Sequence, residues 1–242
     1  VLDIVTARRR SLLTQTFVFA LFLAALALVQ TESARAKTVP EGDIPTYYVY
    51  LAGPEVFLPD PIAAGVHKKQ AIQMLNQQHK WPFKLVGLYP MDNEIEDFAP
   101  DFKTGIAIYQ ANVNLMDKAH FVTANMVRFR GPSMDVGTAF EMGYMRGLNK
   151  PVFAYYDAKP FYGAVEKPGV YAERVAKHYP TDPDNPEKDA HGQSIENFAM
   201  ADNLMMIGAL QSGHGEIADS FEQVILQIAE HIMATAKIES LH

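Results

Sequence analysis

Short apolar runs that alternate with longer helical patterns predict an α/β domain, doubly wound, with a mostly parallel five-stranded sheet and helices on both faces. Three observations carry this prediction. The runs are rich in aromatic and β-branched side chains, as buried strands are, and each is closed by Gly, Pro or Asn. A helical pattern long enough for a crossover separates each run from the next, as parallel neighbours require. The crossovers are expected to be right-handed, with functional loops gathered at the carboxyl ends of the strands.

The elements follow in order. Residues 47–52 (YYVYLA) read as a first buried strand, closed by Gly53-Pro54. Residues 62–79 suit a helix that ends before Trp81-Pro82, and residues 84–89 (KLVGLY) read as a second strand stopped by Pro90. A helix over 102–118 places Ile106, Tyr109, Val113 and Met116 on one face. Residues 119–125 (AHFVTAN) give a third strand, 138–149 a helix and 151–156 (PVFAYY) a fourth strand, an arrangement of the flavodoxin or Rossmann type. Residues 157–195 break into prolines, charges and turn residues, a loop-rich excursion. Its TDPDNPEKD stretch fails as a calcium loop, because Pro186 stands where a ligand and Glu187 where the glycine belongs. The chain closes with an amphipathic helix over about 216–237, with Ile217, Phe221, Val224, Ile225, Ile228 and Ile232 on its apolar face.

The first 36 residues read as a secretory signal. Arg8, Arg9 and Arg10 form a basic start, 17–29 an uninterrupted apolar run, and Ala34-Arg35-Ala36 an A-x-A cleavage site. Residues 37–45 are then a linker and 46–242 the folded domain, with a periplasmic or secreted location expected. The apolar run falls short of the roughly 20 residues that span a bilayer, so tethering by an uncleaved signal is the weaker alternative. The whole chain carries a formal charge of −7. Losing 1–36 removes four arginines and only two acids, so the domain is more acidic still. An acidic domain without a Lys/Arg block excludes long nucleic acids as partners and leaves single nucleosides open. There is no cysteine, and the eight histidines show no metal-ligand spacing, so neither a disulfide framework nor a metal or other cofactor is expected.

The chemistry concentrates in residues 129–144, FRGPSMDVGTAFEMGY. Here a Gly-bearing turn places Glu141 at the start of a helix, where unpaired N–H groups and the helix dipole are expected to keep a carboxylate ionised. Ala139, Gly143 and Gly147 recur every four residues, a flat stripe suited to close packing on the sheet. Two glycines inside a helix cost roughly 1 kcal/mol each, which calls for such a reason. Ser133 lacks a G-x-S-x-G elbow, which removes a serine hydrolase.

Five segments in order, 50–57 (YLAGPEVF), 90–94 (PMDNE), Asn112, 124–141 and 197–206 (NFAMADNLMM), closely resemble the nucleoside 2-deoxyribosyltransferase family. The resemblance covers nearly all of 47–242 and weakens over 157–195. It implies that Glu141 attacks the anomeric carbon of a 2'-deoxynucleoside, that Tyr50 orients it, and that Asp135 contacts the deoxyribose hydroxyls. Asn203 matches a residue that a neighbouring subunit lends to the sugar site, so a homo-oligomer is implied. Asp92, Asn93 and Glu94 match a loop on the base side, and Gly53, Phe57 and Gly137 stand in the matched motifs as substrate-binding positions. Met205 is taken as lining the base pocket. Asn112 stands where some members carry an aspartate that protonates the leaving base; an amide cannot do this, and Asp92 is the preferred substitute.

The activity so implied is transfer of 2-deoxyribose from a 2'-deoxynucleoside to a free purine or pyrimidine base, by a retaining double displacement through a glutamyl-deoxyribose intermediate. Hydrolysis of the same N-glycosidic bond, in a deoxynucleoside or deoxynucleotide, is the alternative within enzymes. An exported nucleoside-binding protein without turnover is the alternative of another class.

Overall fold

A computed structural model describes residues 44–95 and 98–239. The expected signal, 1–36, and the linker up to residue 43 lie outside the described residues.

The described chain builds a five-stranded, fully parallel sheet from β1 (Thr46–Ala52), β2 (Lys84–Leu88), β3 (Phe121–Asn125), β4 (Val152–Tyr155) and β7 (Ile217–Ala218), in the order β2-β1-β3-β4-β7. Helix α1 (Pro61–His79) follows β1, α2 (Phe102–Lys118) leads into β3, α3 (Val136–Gly147) joins β3 to β4, and α7 (Phe221–Glu239) follows β7. The chain first steps from β1 outward to β2, then returns to the other side of β1 for β3. Connections from β1 and β3 therefore depart in opposite directions, which makes their carboxyl ends the switch point where an open α/β sheet has its crevice.

Strand alternation assigns each face its core. Val49, Leu51, Phe121, Phe153 and Tyr155 pack with Ile72 of α1 and Val224, Ile225 and Ile228 of α7. Tyr50, Ala52, Val122, Ala124 and Ala154 pack with Val113 and Met116 of α2 and Met142 and Met145 of α3. Helices thus cover both faces, as a parallel sheet buried on both sides requires.

Four expectations need correction. Ile217 belongs to the edge strand β7, which pairs with β4 through Ala154 and Tyr155, so the last helix begins only at Phe221. Its apolar character served a strand as well as a helix, and two residues are too few to show a period. In α2, Val113 and Met116 are buried, but Ile106 and Tyr109 lie on exposed surface, and of the first half of the helix only Thr104 is buried. The stripe of Gly143 and Gly147 faces open space; Thr138, Met142 and Met145 are the buried side of α3. Finally, α3 starts at Val136, two residues earlier than expected, because Asp135 caps it through Thr138 N at 2.9 Å and Thr138 Oγ1 at 3.0 Å.

The excursion carries some regular structure of its own: α4 (Lys159–Tyr162), α5 (Tyr171–His178) and a hairpin of β5 (Thr181–Asp182) with β6 (Asn185–Asp189) that takes in much of TDPDNPEKD. It is stitched to the body at Arg174 of α5. The guanidinium donates to the carbonyls of Pro132 and Ala201, each at 2.6 Å, and to that of Pro168, and meets Asp202 at 3.3 Å. Buried Asp202 in turn accepts from Ser133 Oγ at 2.5 Å and Met134 N at 3.0 Å. The short helix α6 (Leu204–Ala209) follows directly and packs against α3.

Candidate active site

The crevice between β1 and β3 is where the sequence places its reactive residues. Tyr50 lies on the α2/α3 side of β1, two residues before the strand ends, fully buried, and its hydroxyl donates to Glu141 Oε1 at 2.5 Å. Burial raises the Tyr50 hydroxyl far above its ordinary acidity, and the neighbouring Glu141 charge adds to this, so the phenol stays protonated and always donates.

Glu141 is not in the first turn of α3. It is the sixth residue of the helix, and the first-turn amide of Thr138 is already capped by Asp135, so the helix start does not hold this carboxylate ionised. Burial instead pushes its acid up to about 7; the Tyr50 hydrogen bond and the Lys68 charge pull it down, and the Asp135 charge pushes it up. At neutral pH the group is poised between its two forms.

Asp135 and Gly137 occupy the start of α3. Asp135 commits Oδ2 to its cap, and a Cβ at Gly137 would press on that oxygen at 3.1 Å. Gly53, between β1 and the 3-10 turn Pro54–Phe57, admits no side chain: a Cβ there would lie 2.0 Å from Glu55 Oε2. Phe57 at the end of this turn is exposed and stacks on Phe129, ring centroids 5.2 Å apart, with the Arg130 guanidinium 4.8 Å from one ring and 4.7 Å from the other.

On the other flank, the 3-10 turn Pro90–Asp92 brings Asn93 to Asn112 of α2. Asn93 Nδ2 donates to the Pro90 carbonyl at 3.1 Å, which fixes its amide direction, and to Asn112 Oδ1 at 3.3 Å. Asn112 therefore keeps its own N–H groups as the free end of its amide. Asp92 is turned elsewhere: Oδ1 meets Lys69 Nζ at 2.5 Å and Oδ2 accepts from Tyr89 N at 3.0 Å. Both oxygens are engaged, a poor arrangement for handing a proton to a base. Glu94 is exposed on the same loop.

Asn203 and Met205 are held by other partners among the described residues. Asn203 caps α6 through Met205 N at 3.0 Å, and its Nδ2 donates to Glu196 at 2.7 Å; Met205 is exposed on that short helix.

Sequence reasoning missed the polar cluster under the crevice. Glu55 is buried, paired with Lys68 Nζ at 2.8 Å, and accepts from Asn125 Nδ2 and Tyr155 OH, each at 2.9 Å. Lys68 lies over the rings of Tyr89, Tyr155 and Phe221. The available signal was a charged residue inside the apolar stretch AGPEVF. It also missed Lys69 and Glu196, which settle where Asp92 and Asn203 point, and neither has a local sequence signal.

Residues 49–205 match the family model described as nucleoside 2-deoxyribosyltransferase. The chain belongs to the nucleoside 2-deoxyribosyltransferase family. The matched span runs from the second half of β1 to the start of α6, and so includes every candidate position from Tyr50 to Met205. An uncharacterised protein of Schizosaccharomyces pombe is 26% identical over 179 residues, which is 72% of this chain and 81% of that protein. Among solved structures, a 2-desoxiribosyltransferase from Leishmania mexicana is 25% identical with a TM-score of 0.48, covering 76% of this chain and 98% of its own. A 2-deoxyribosyltransferase from Bacillus psychrosaccharolyticus is 18% identical with a TM-score of 0.36, covering 62% and 98%. Within this nucleoside 2-deoxyribosyltransferase family member, the Tyr50–Glu141 hydrogen bond joins β1 to the carboxylate that α3 carries.

Proposed function

We propose that this protein transfers the 2-deoxyribosyl group of a 2'-deoxynucleoside to an acceptor nucleobase by a retaining double displacement. The observation that carries the reading is the Tyr50–Glu141 hydrogen bond at 2.5 Å, set in the switch-point crevice. Ionised Glu141 attacks the anomeric carbon as the N-glycosidic bond breaks, giving a covalent glutamyl ester and the base, which leaves with the bonding electron pair and takes its proton from water. The Tyr50 hydroxyl holds one carboxylate oxygen, leaving the other to bond the sugar. A second base then displaces Glu141, and two inversions restore the starting configuration.

The departing base takes hydrogen bonds from Asn112 rather than a proton from Asp92. Asn112 offers N–H groups, whereas both Asp92 oxygens are occupied by Lys69 and Tyr89 N. Asp135 and Gly137 border the sugar, and Phe57 offers a ring face to the base.

We further infer a homo-oligomer. Phe102, Ile106 and Tyr109 of α2 and Val136 and Phe140 of α3 are all exposed in the single chain; Tyr109 and Phe140 touch at 6.1 Å between centroids. A second copy that covers this face also brings its own Asn203 and Met205 within reach of the sugar and base. Light scattering is expected to give more than one chain per particle, and Phe140→Asp to shift it toward monomer. Export to the periplasm or medium, read from residues 1–36, belongs to the same proposal; fractionation of expressing cells tests it.

The decisive assay incubates a 2'-deoxynucleoside with and without a second base. New nucleoside made at the expense of the donor is the expected result. Release of free deoxyribose at the same rate whether or not a base is present would instead make the protein an N-glycosidase. A 2-fluoro-2-deoxy analogue should leave a sugar adduct on Glu141 by mass spectrometry; saturable binding without adduct or turnover would sink both enzymatic readings.

A further inference from the structure

Beside the loop that leads into α3, a hollow of about 330 Å3 is lined by Arg128, Gly131, Pro132, Arg174, Lys177 and His178. Two arginines, a lysine and a histidine are among its lining residues, and no acidic residue is. In a chain of formal charge −7 such a concentration runs against composition. Lys177 and His178 close α5, where basic residues offset the helix dipole, but that does not account for the convergence of Arg128 and Arg174 on the same point.

The partners of these arginines lie outside the lining. Glu166 meets Arg128 at 3.4 Å, and Asp202 meets Arg174 at 3.3 Å. The other three hydrogen bonds of the Arg174 guanidinium go to main-chain carbonyls, which fix it without cancelling its charge. The Arg128 guanidinium lies over Tyr162, 4.0 Å from the ring centroid. Lys177 has no ion pair among the described residues. The site is therefore rigid at its back, where each arginine is set against one carboxylate, carries Lys177 as its unpaired charge among the described residues, and is sized for a small anion or the anionic end of a larger molecule.

We propose that this hollow binds a phosphate dianion, either free or esterified, through Arg128, Arg174, Lys177 and His178. Fork-shaped guanidiniums and a flexible ammonium are the donor set that tetrahedral phosphate oxygens accept. The placement of the site, with Gly131 and Pro132 in its wall, ties it to the hairpin that runs through Met134 to Asp135 and α3.

Calorimetric titration of the full protein with inorganic phosphate, at constant ionic strength against a chloride control, tests this directly. Saturable binding to phosphate and none to chloride is expected. Lys177→Glu should weaken it about tenfold or more, and Arg128→Gln by a similar factor. Lys177 is exposed, and melting curves without phosphate verify that each variant is folded. A deoxynucleoside monophosphate that binds more tightly than inorganic phosphate, with the same dependence on Lys177, identifies the esterified group as the ligand; equal affinity identifies the free ion. Absence of saturable phosphate binding overturns the proposal. So does binding that both variants retain in full, since the ion then sits elsewhere.

Discussion

At the carboxyl edge of the sheet two glutamates lie on opposite faces, and their surroundings drive them apart. Glu55, on the α1/α7 side, is fully buried, yet its acid lies below the ordinary range: burial raises it, but the Lys68 charge and hydrogen bonds from Lys68 and Asn125 lower it further. Glu141, on the α2/α3 side, has Tyr50 as its hydrogen-bond donor, and burial carries it up to about 7. One neutral hydrogen bond does not offset desolvation; a paired charge does. The first carboxylate is consequently a fixed part of the framework, and the second is free to change its bonding.

The sharpest way to break this contrast is Glu141→Gln. Turnover should fall by on the order of 10³-fold or more, because an amide makes no glycosyl ester. Stability should move the other way. The folded-state acid of Glu141 is raised from 4.5 to about 7, so the fold favours the protonated form. That contribution is complete below 4.5 and is lost as pH rises through about 7. Melting at pH 8 should therefore show Glu141→Gln more stable than the parent by on the order of 1–3 kcal/mol, with the gap closing at pH 4. A variant less stable at pH 8 would mean that the carboxylate is part of the framework after all.

Lys68→Met probes the other face. It leaves Glu55 buried without its countercharge, a loss on the order of 3–5 kcal/mol that thermal or urea unfolding would register. Adding Glu55→Gln in the same chain should recover much of it. If Lys68→Met alone were neutral, Glu55 would have to be solvated or protonated, and the contrast between the faces would disappear.

Strands were legible in advance as apolar runs closed by turn residues, as in 47–52, and a face was legible in the second half of 102–118, where Val113 and Met116 are buried as expected. Two-residue β7 is too short for either signal. Glu141 could be singled out from the turn and helix around it, but not its protonation: that depends on burial by elements far away in the chain, and the helix start looked like the controlling influence when Asp135 had already satisfied it. Asp92 looked available for the same reason, since Lys69 is 23 residues distant and nothing local marks the pair. Tyr50 was legible through the family resemblance of YLAGPEVF and through its strand, whereas an all-apolar YYVYLA shows no alternation from which to read the face it takes.

The pH dependence of turnover sharpens the comparison at intermediate cost. With ionised Glu141 as nucleophile, kcat/KM should rise with pH through about 7 and then level off. Tyr50→Phe removes a hydrogen bond that lowers the Glu141 acid, so the midpoint should move to higher pH, with a loss of about 10- to 100-fold at neutral pH. A loss without that movement would assign Tyr50 to packing alone.

The smallest effect is expected on the base side of the pocket, at Asn93. Its Nδ2 is fixed by the Pro90 carbonyl and thereby makes Asn112 present its oxygen inward and its N–H groups outward. Asn93→Ala releases that constraint and should cost about 2- to 10-fold in kcat/KM. Asn93→Asp puts an acceptor where a donor stood, so Asn112 turns its N–H groups toward the new carboxylate and offers the base an oxygen instead. That variant should be the worse of the two, and worst for bases that present only acceptors at this point. If Asn93→Asp were the milder change, Asn112 would not be a donor to the base, and the leaving group would have to draw its hydrogen bond from another residue.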